Sequence, residues 1–254
     1  TAQENGAGVW AAFSESHKQE QKPIAAKKGT KISVQDLFYN TPARLKYLKS
    51  EKTEITRIID IVNRIALSYP ELAITLKNEN KVLLQTSGNG NLRQDVANIY
   101  GRKLASEMLE FANQDQDFSI SGLVTKPDVT RANRNYISIL LNGRYIKNYQ
   151  LANAIMTGYG SKLPSGKYPL VVLQIEMDPL LVDVNVHPTK QEVRLSKELK
   201  LSQLISQTIA ATLQEHELVG DVTENIANPQ SSTDFDQLLF NLNKKMPQEI
   251  TAAP

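Results

Sequence analysis

Tyr136–Lys147 reads YISILLNGRYIK. Two β-rich runs flank Asn142-Gly143, a dipeptide that tolerates positive φ at both positions and therefore favours a tight two-residue hairpin turn. On the N-terminal side, FSISGLVTKP (118–127) reads as a strand. On the C-terminal side, LANAIMTGYG (151–160) reads as a helix, and PLVVLQIEM (169–177) and LLVDVNVH (180–187) as strands. LSQLISQTIAATLQ (201–214) closes the region with apolar residues at helical spacing. Strands alternating with single helices predict an α/β or α+β domain.

Further upstream, Leu92–Tyr100 predicts a helix stopped near Gly101, and SGNGN (87–91) marks a domain boundary. LAITLKNENKVLLQT (72–86) predicts a hairpin about Asn78-Glu79-Asn80. Ile55, Ile58, Ile59, Val62, Ile65 and Ala66 form one helical stripe that ends before Pro70. In TKISVQDLFYN, Ile32 and Val34 alternate with Lys31, Ser33 and Gln35, which predicts a strand broken at Thr41-Pro42. SESHKQEQKPIAAKKG (14–29) reads as a polar connector after a strand at Val9–Phe13. From 219 onward the chain turns polar and reads as a linker with one amphipathic turn at FDQLLFNL.

The 254 residues are 41% apolar and 22% charged, which excludes collagen-like and wholly disordered chains. No apolar run is long enough for a bilayer, and the absence of cysteine removes disulfides and thiolate chemistry. The chain starts at Thr1 and shows no signal peptide, so it reads as processed or as a piece of something longer. The net charge of +2 is uneven. Residues 219–254 hold five acids and two bases, a net of −3, which leaves +5 for residues 1–218. Lys126, Arg131, Arg134, Arg144 and Lys147 cluster with Tyr136, Tyr145 and Tyr149, against the single acid Asp128. Cations that neutralise phosphates beside rings that stack suit a nucleic-acid surface, while a solvated hairpin is the plainer alternative.

In LVDVNVHP, valines 182, 184 and 186 point one way and Asp183, Asn185 and His187 the other. The polar row either orients the following loop or is simply the solvated face of a sheet. Lys190, two residues past Pro188, can project a point charge toward a phosphate or stand in solvent. Three histidines with no i, i+4 helical pair give no metal site. GSKLPSGKY lacks P-loop spacing, and no G-x-S-x-G or acid pair at helical spacing supports a self-contained hydrolase site.

GTKISVQDLFYNTPARLKYLKS (29–50), LNGRYIKN (141–148) and LLVDVNVHPTKQEVRL (180–195), occurring in that order, resemble the MutL family of DNA mismatch repair proteins. The resemblance covers about residues 1–218. It implies an α+β chain: the remainder of a GHKL-type ATPase α/β sandwich, of the class shared with DNA gyrase and histidine kinases, followed by a ribosomal protein S5 domain 2-like transducer domain. The implied divisions are 1–88 for the C-terminal part of the ATPase domain, 89–218 for the transducer and 219–254 for a flexible linker. It also implies family-motif positions at Asn40, Thr41, Pro42, Ala43 and Arg44, and at Asp183, Asn185, His187 and Pro188. Gly29 and Thr30 match the family's nucleotide-contacting Gly-Thr pair, and Lys190 matches the transducer lysine that reaches the terminal phosphate.

The family's general-base Glu, magnesium-binding Asn, adenine-binding Asp turn and glycine-rich lid precede the N-T-P-A-R segment, and none is in this sequence. ENGAG (4–8) has Glu4 where the adenine turn needs Asp. The chain thus reads as an N-terminally truncated fragment without catalytic residues of its own, inactive alone, with ATP and Mg2+ as cofactors of the intact parent. The implied partners are double- or single-stranded DNA, a mismatch recognition protein, a downstream nuclease or helicase, and a second copy in a homodimer. The implied location is cytoplasmic and nucleoid-associated. Arg44, Arg144 and Lys147 are DNA-contact candidates by charge and location. The alternatives are a non-catalytic DNA-binding transducer module, a type II topoisomerase-like GHKL relative, and an enzyme acting on a small phosphorylated substrate through Lys190 and His187.

Overall fold

The computed structural model describes residues 6–183 and 193–220. The chain divides into two compact units, 1–56 and 57–254.

In the first unit, β1 (Ala7–Ser14) pairs antiparallel with β2 (His17–Ala25). They are joined through Glu15 and Ser16, both at positive φ of 51° and 67°. β2 occupies the segment expected to be a polar connector. Its side chains carry no apolar alternation, and the strand exists through its backbone ladder to β1. The strand expected over Lys31–Gln35 does not form. Ile32 and Val34 are 81% and 73% exposed, so the period-two pattern finds no sheet to bury it among the described residues. Successive turns follow, with the Tyr39 amide donating to Asp36 O at 2.9 Å and the Thr41 amide to Phe38 O at 2.9 Å. They lead into the single turn α1 (Pro42–Leu45), opened by proline where a missing N–H costs nothing. α2 (Glu51–Ser68) begins in this unit and carries the predicted stripe.

The second unit takes the rest of α2. β3 (Thr75–Asn78) and β4 (Lys81–Gln85) make the expected hairpin. α3 (Leu92–Tyr100) starts where Asn91 Oδ1 accepts the Gln94 amide at 3.0 Å, and stops at Gly101, whose φ is 98°. α4 (Arg102–Glu107) leads into β5 (Met108–Gln114), neither of which the sequence pattern announces. β6 (Phe118–Thr125), β7 (Thr130–Arg131), β8 (Ile137–Leu141), β9 (Arg144–Ile146), α5 (Tyr149–Tyr159), β10 (Tyr168–Pro169) and β11 (Val171–Met177) follow. β12 (Val182–Asp183) pairs with β13 (Arg194–Leu195), and α6 (Glu198–Gly220) runs two residues past the start of the expected linker.

The central sheet has the order β5-β6-β11-β8-β9, with β11 parallel to β8 and the other pairs antiparallel. Both faces are covered, so its inner strands are continuous apolar runs without alternation. Val171, Leu173 and Ile175 face one core, shared with Leu151 and Ile155 of α5 and Leu201, Ile205 and Ile209 of α6. Leu170 and Val172 face the other, shared with Ala66 and Leu67 of α2 and Val96 and Ile99 of α3. α5 and α6 approach closely at Gly158, where a Cβ would lie 2.8 Å from Ile209 Cβ.

Candidate functional site

The β8–β9 hairpin presents Arg144 and Lys147, both exposed. Its turn, Asn142-Gly143, has φ of 47° and 75°, the left-handed pair that the sequence predicts. The Asn142 amide donates to Ile175 O at 2.8 Å, its Nδ2 to Met177 O at 3.0 Å, and its Oδ1 accepts the Met177 amide at 3.0 Å. The turn is therefore tied to the end of β11. Alternation along β9 sends Ile146 into one core and Tyr145 toward the other. Asn148 caps α5 by accepting the Leu151 amide at 2.9 Å.

Beside this hairpin lies a set of arginine–tyrosine contacts that sequence reading did not resolve. The Arg134 guanidinium sits 5.1 Å from the Tyr149 ring and 5.2 Å from the Tyr168 ring. Hydrogen bonds to Tyr168 and Tyr149 raise the Arg134 pKa, and hydrogen bonds from Asn153 and Arg134 hold the Tyr149 hydroxyl below its ordinary value. Arg131 lies 5.4 Å from the Tyr136 ring. The composition announced bases interleaved with tyrosines; the pairings of Arg134 with Tyr149 and Tyr168 join separate segments, which no local period reveals. Burial pushes Tyr100, packed against Tyr136 at 6.1 Å, up to about 12.

The remaining sequence-predicted residues fall elsewhere. Gly29 and Thr30 are exposed in the first unit, and Gly29 has a φ of 138° that restricts the position to glycine. Asn40, Pro42, Ala43 and Arg44 are exposed there too, and Thr41 is half-buried. Arg44 lies 6.0 Å from the Phe38 ring. Asp183 is exposed on β12 of the second unit, while Asn185, His187, Pro188 and Lys190 lie outside the described residues. Among the described residues the nucleotide-site candidates thus reduce to the Gly29-Thr30 pair, and no group of three His, Asp or Glu converges to hold a metal ion. That pair is open enough to lie against a nucleotide, but it does not enclose one, so no step through ATP or Mg2+ follows from these side chains. No helix among the described residues is long and apolar enough to cross a membrane.

A family model described as "DNA mismatch repair protein, C-terminal domain" matches residues 96–214. The "DNA mismatch repair protein MutL" of Lactobacillus helveticus is 56% identical over 254 residues, all of this chain and 40% of that protein. Along its whole length this chain is similar to MutL proteins. The MutL of Lactobacillus delbrueckii subsp. bulgaricus is 59% identical over 232 residues, 91% of this chain and 35% of that protein. The chain spans about two fifths of the length of such relatives.

Among solved structures, the N-terminal domain of a DNA repair protein superposes with a TM-score of 0.67 at 21% identity, covering 80% of this chain and 66% of that one. The ATPase domain of Aquifex aeolicus MutL superposes at 0.60 with 22% identity, covering 80% and 71%. The same domain complexed with ADP superposes at 0.57 with 20% identity, covering 80% and 68%. The α+β class expected from the sequence is therefore the class observed, in the fold of MutL ATPase-domain structures. The topoisomerase-like alternative is not favoured.

Proposed function

We propose that this MutL-like chain is the part of an ATP-dependent mismatch-repair switch that links a nucleotide site to a DNA surface. The observation that carries the reading is the likeness to MutL across all 254 residues at 56% identity. In this reading residues 1–88 complete a GHKL-type ATPase domain, 89–218 are the transducer and 219–254 a linker. Gly29 and Thr30 contact nucleotide, and Lys190 meets its terminal phosphate across the two domains. The family motif around Asn40–Arg44, with Asp183, Asn185, His187 and Pro188, orients the segments that carry those contacts.

A cation brought from a second domain senses a third phosphate by direct Coulomb attraction, strongest where water is thinned. Binding energy at that contact biases one arrangement of the domains over another. Arg144 and Lys147 then meet DNA phosphates, with Arg44 contributing from the first unit. In the intact parent the complex would hold ATP and Mg2+, close as a homodimer in the cytoplasm on nucleoid DNA, and relay the signal of a mismatch recognition protein to a nuclease or helicase.

Two measurements on the purified chain test this. Its affinity for labelled duplex should fall with salt at a log–log slope of about −0.9 per phosphate neutralised. A salt-indifferent affinity would overturn the DNA assignment. Phosphate release from ATP should stay at background, because the family's general-base and magnesium-binding motifs are absent from the sequence. Appreciable release would contradict the assignment of hydrolysis to those motifs.

A further inference from the structure

We infer that Arg64, on α2, is a positioning residue for the β8–β9 hairpin and acts on Arg144 and Lys147 through Tyr145. This rests on reading that hairpin as a DNA-contacting element. The Arg64 guanidinium lies 3.7 Å from the centroid of the Tyr145 ring, the closest arginine–tyrosine stack among the described residues. Its Nε and Nη2 donate to the two oxygens of Asp60 at 3.0 and 3.1 Å. The Arg64 side chain is only 13% exposed, against 57% for Asp60. The paired carboxylate offsets the desolvation of the guanidinium, and the fork holds its plane against the ring. The third nitrogen, Nη1, is buried without a hydrogen-bond partner among the described residues. The fork to Asp60 and the stack on Tyr145 together fix this side chain, with Nη1 left over.

Two further contacts from the same end of α2 reach the sheet. Tyr69, next after the helix, fills the space over Gly143, where a Cβ would meet its hydroxyl oxygen at 2.7 Å. The carbonyl of Leu67 accepts from Gln174 Nε2 at 3.2 Å. Arg144 is thus bracketed: Gly143 before it lies against Tyr69 and Tyr145 after it lies under Arg64. In a strand, fixing one side chain on one face fixes its neighbour on the other. Holding Tyr145 toward α2 sets the direction in which Arg144 leaves β9. The hairpin's remaining anchors are the Asn142 bonds at one end and buried Ile146 at the other.

The test uses the whole 254-residue chain and a labelled oligonucleotide duplex. Arg64→Lys keeps the charge but loses the planar stack and the two-pronged bond to Asp60. It should weaken duplex binding roughly five- to tenfold with Arg144 and Lys147 present. In an Arg144→Ala/Lys147→Ala background the same change should cost less than about twofold, because coupled residues are non-additive. Tyr145→Phe, which keeps the ring, should bind like the parent. Amide exchange over residues 143–147 should quicken in Arg64→Lys and not in Tyr145→Phe.

Equal losses in both backgrounds would show Arg64 acting on DNA by itself, and unchanged exchange over 143–147 would show that it does not hold the hairpin; either result overturns the proposal. Should Arg144→Ala/Lys147→Ala leave duplex binding untouched, the DNA reading fails separately, and the exchange measurement alone decides the positioning. Should Arg64→Lys not fold, Tyr145→Leu removes the same stack from the other side, and the same two readouts decide.

Discussion

The hydroxyl of Tyr159, on α5, donates to the backbone carbonyl of Thr125 at the end of β6, at 2.5 Å. Both residues are essentially inaccessible to water, at 1% and 0% exposure. Thr125 is held a second time, since its Oγ1 accepts the Leu170 amide at 3.1 Å and its own amide donates to Leu170 O at 3.0 Å. Burial pushes the Tyr159 pKa up, so the hydroxyl stays a donor across the accessible pH range. Tyr159→Phe keeps the ring and removes that donor from a buried carbonyl. The expected loss is about 1–3 kcal/mol. Urea unfolding checks it: the midpoint should fall while the slope stays constant.

Gly122 on β6 should tolerate no side chain. A Cβ there would lie 1.9 Å from Val172 O and 3.1 Å from the Phe111 ring, and its φ is 153°. The clashing atom is backbone of the neighbouring strand, which cannot swing aside as a flexible side chain would. Gly122→Ala must therefore part β6 from β11 or distort the Phe111 core. The expected cost is about 3 kcal/mol or more, at the severe end of single substitutions. Melting of the variant below the parent by only a degree or two would show that the sheet yields more easily than its packing implies.

Legibility of the fold tracked how local its cause was. α3 was readable to its last residue because its stop signal, Gly101, lies next to it, and its start is set just as locally, by the Asn91 cap. The β8–β9 turn was readable because Asn142-Gly143 is nearly its own conformational instruction. β2 was missed because its ladder to β1 leaves no apolar imprint on HKQEQKPIA. Ile32 and Val34 were misread for the converse reason: an imprint without a partner strand. At the candidate site the cations were visible as composition. Their partners were not, because Arg64 with Tyr145 and Arg134 with Tyr168 are brought together only by the tertiary fold.

Asp95 gives a pH dependence with a defined sign. It is fully buried on α3, both carboxylate oxygens lack a hydrogen-bond partner among the described residues, and desolvation raises its pKa from 3.8 to about 6. The folded state therefore binds its proton more tightly than the unfolded chain does. Its ionisation destabilises the fold above pH 6, by about 3 kcal/mol once complete, and that penalty fades as pH falls from 6 toward 4. Asp95→Asn should accordingly raise the melting temperature at pH 8, and the gain should vanish near pH 4. Comparison with the variant is needed because Asp115 and Asp117 work the other way. The hydrogen bond from Lys200 lowers the Asp115 pKa, and those from Lys197 and Lys200 lower that of Asp117. Their contribution is present above the unfolded carboxylate pKa and is lost as pH falls. A gain from Asp95→Asn that is equal at pH 4 and pH 8 would mean that the carboxylate has the same pKa in the folded and unfolded states, and that burial does not raise it.

Arg144→Glu should separate phosphate contact from general basicity of the surface. Among the described residues no carboxylate lies within ion-pair distance of Arg144 at the exposed end of β9, so the guanidinium is available to an incoming polyanion. Reversal replaces an attraction by a repulsion at one point while the Asn142-Gly143 turn and buried Ile146 keep the hairpin in place. Duplex affinity should fall roughly tenfold or more at low salt, and the log–log salt slope should become shallower by about 1. The loss should shrink as salt rises, because both the lost attraction and the added repulsion are screened. The same reversal at Arg102, exposed on α4 at a different part of the second unit, should change the slope far less. Matching effects at the two positions would mean that DNA responds to net charge alone and that the hairpin has no privileged role.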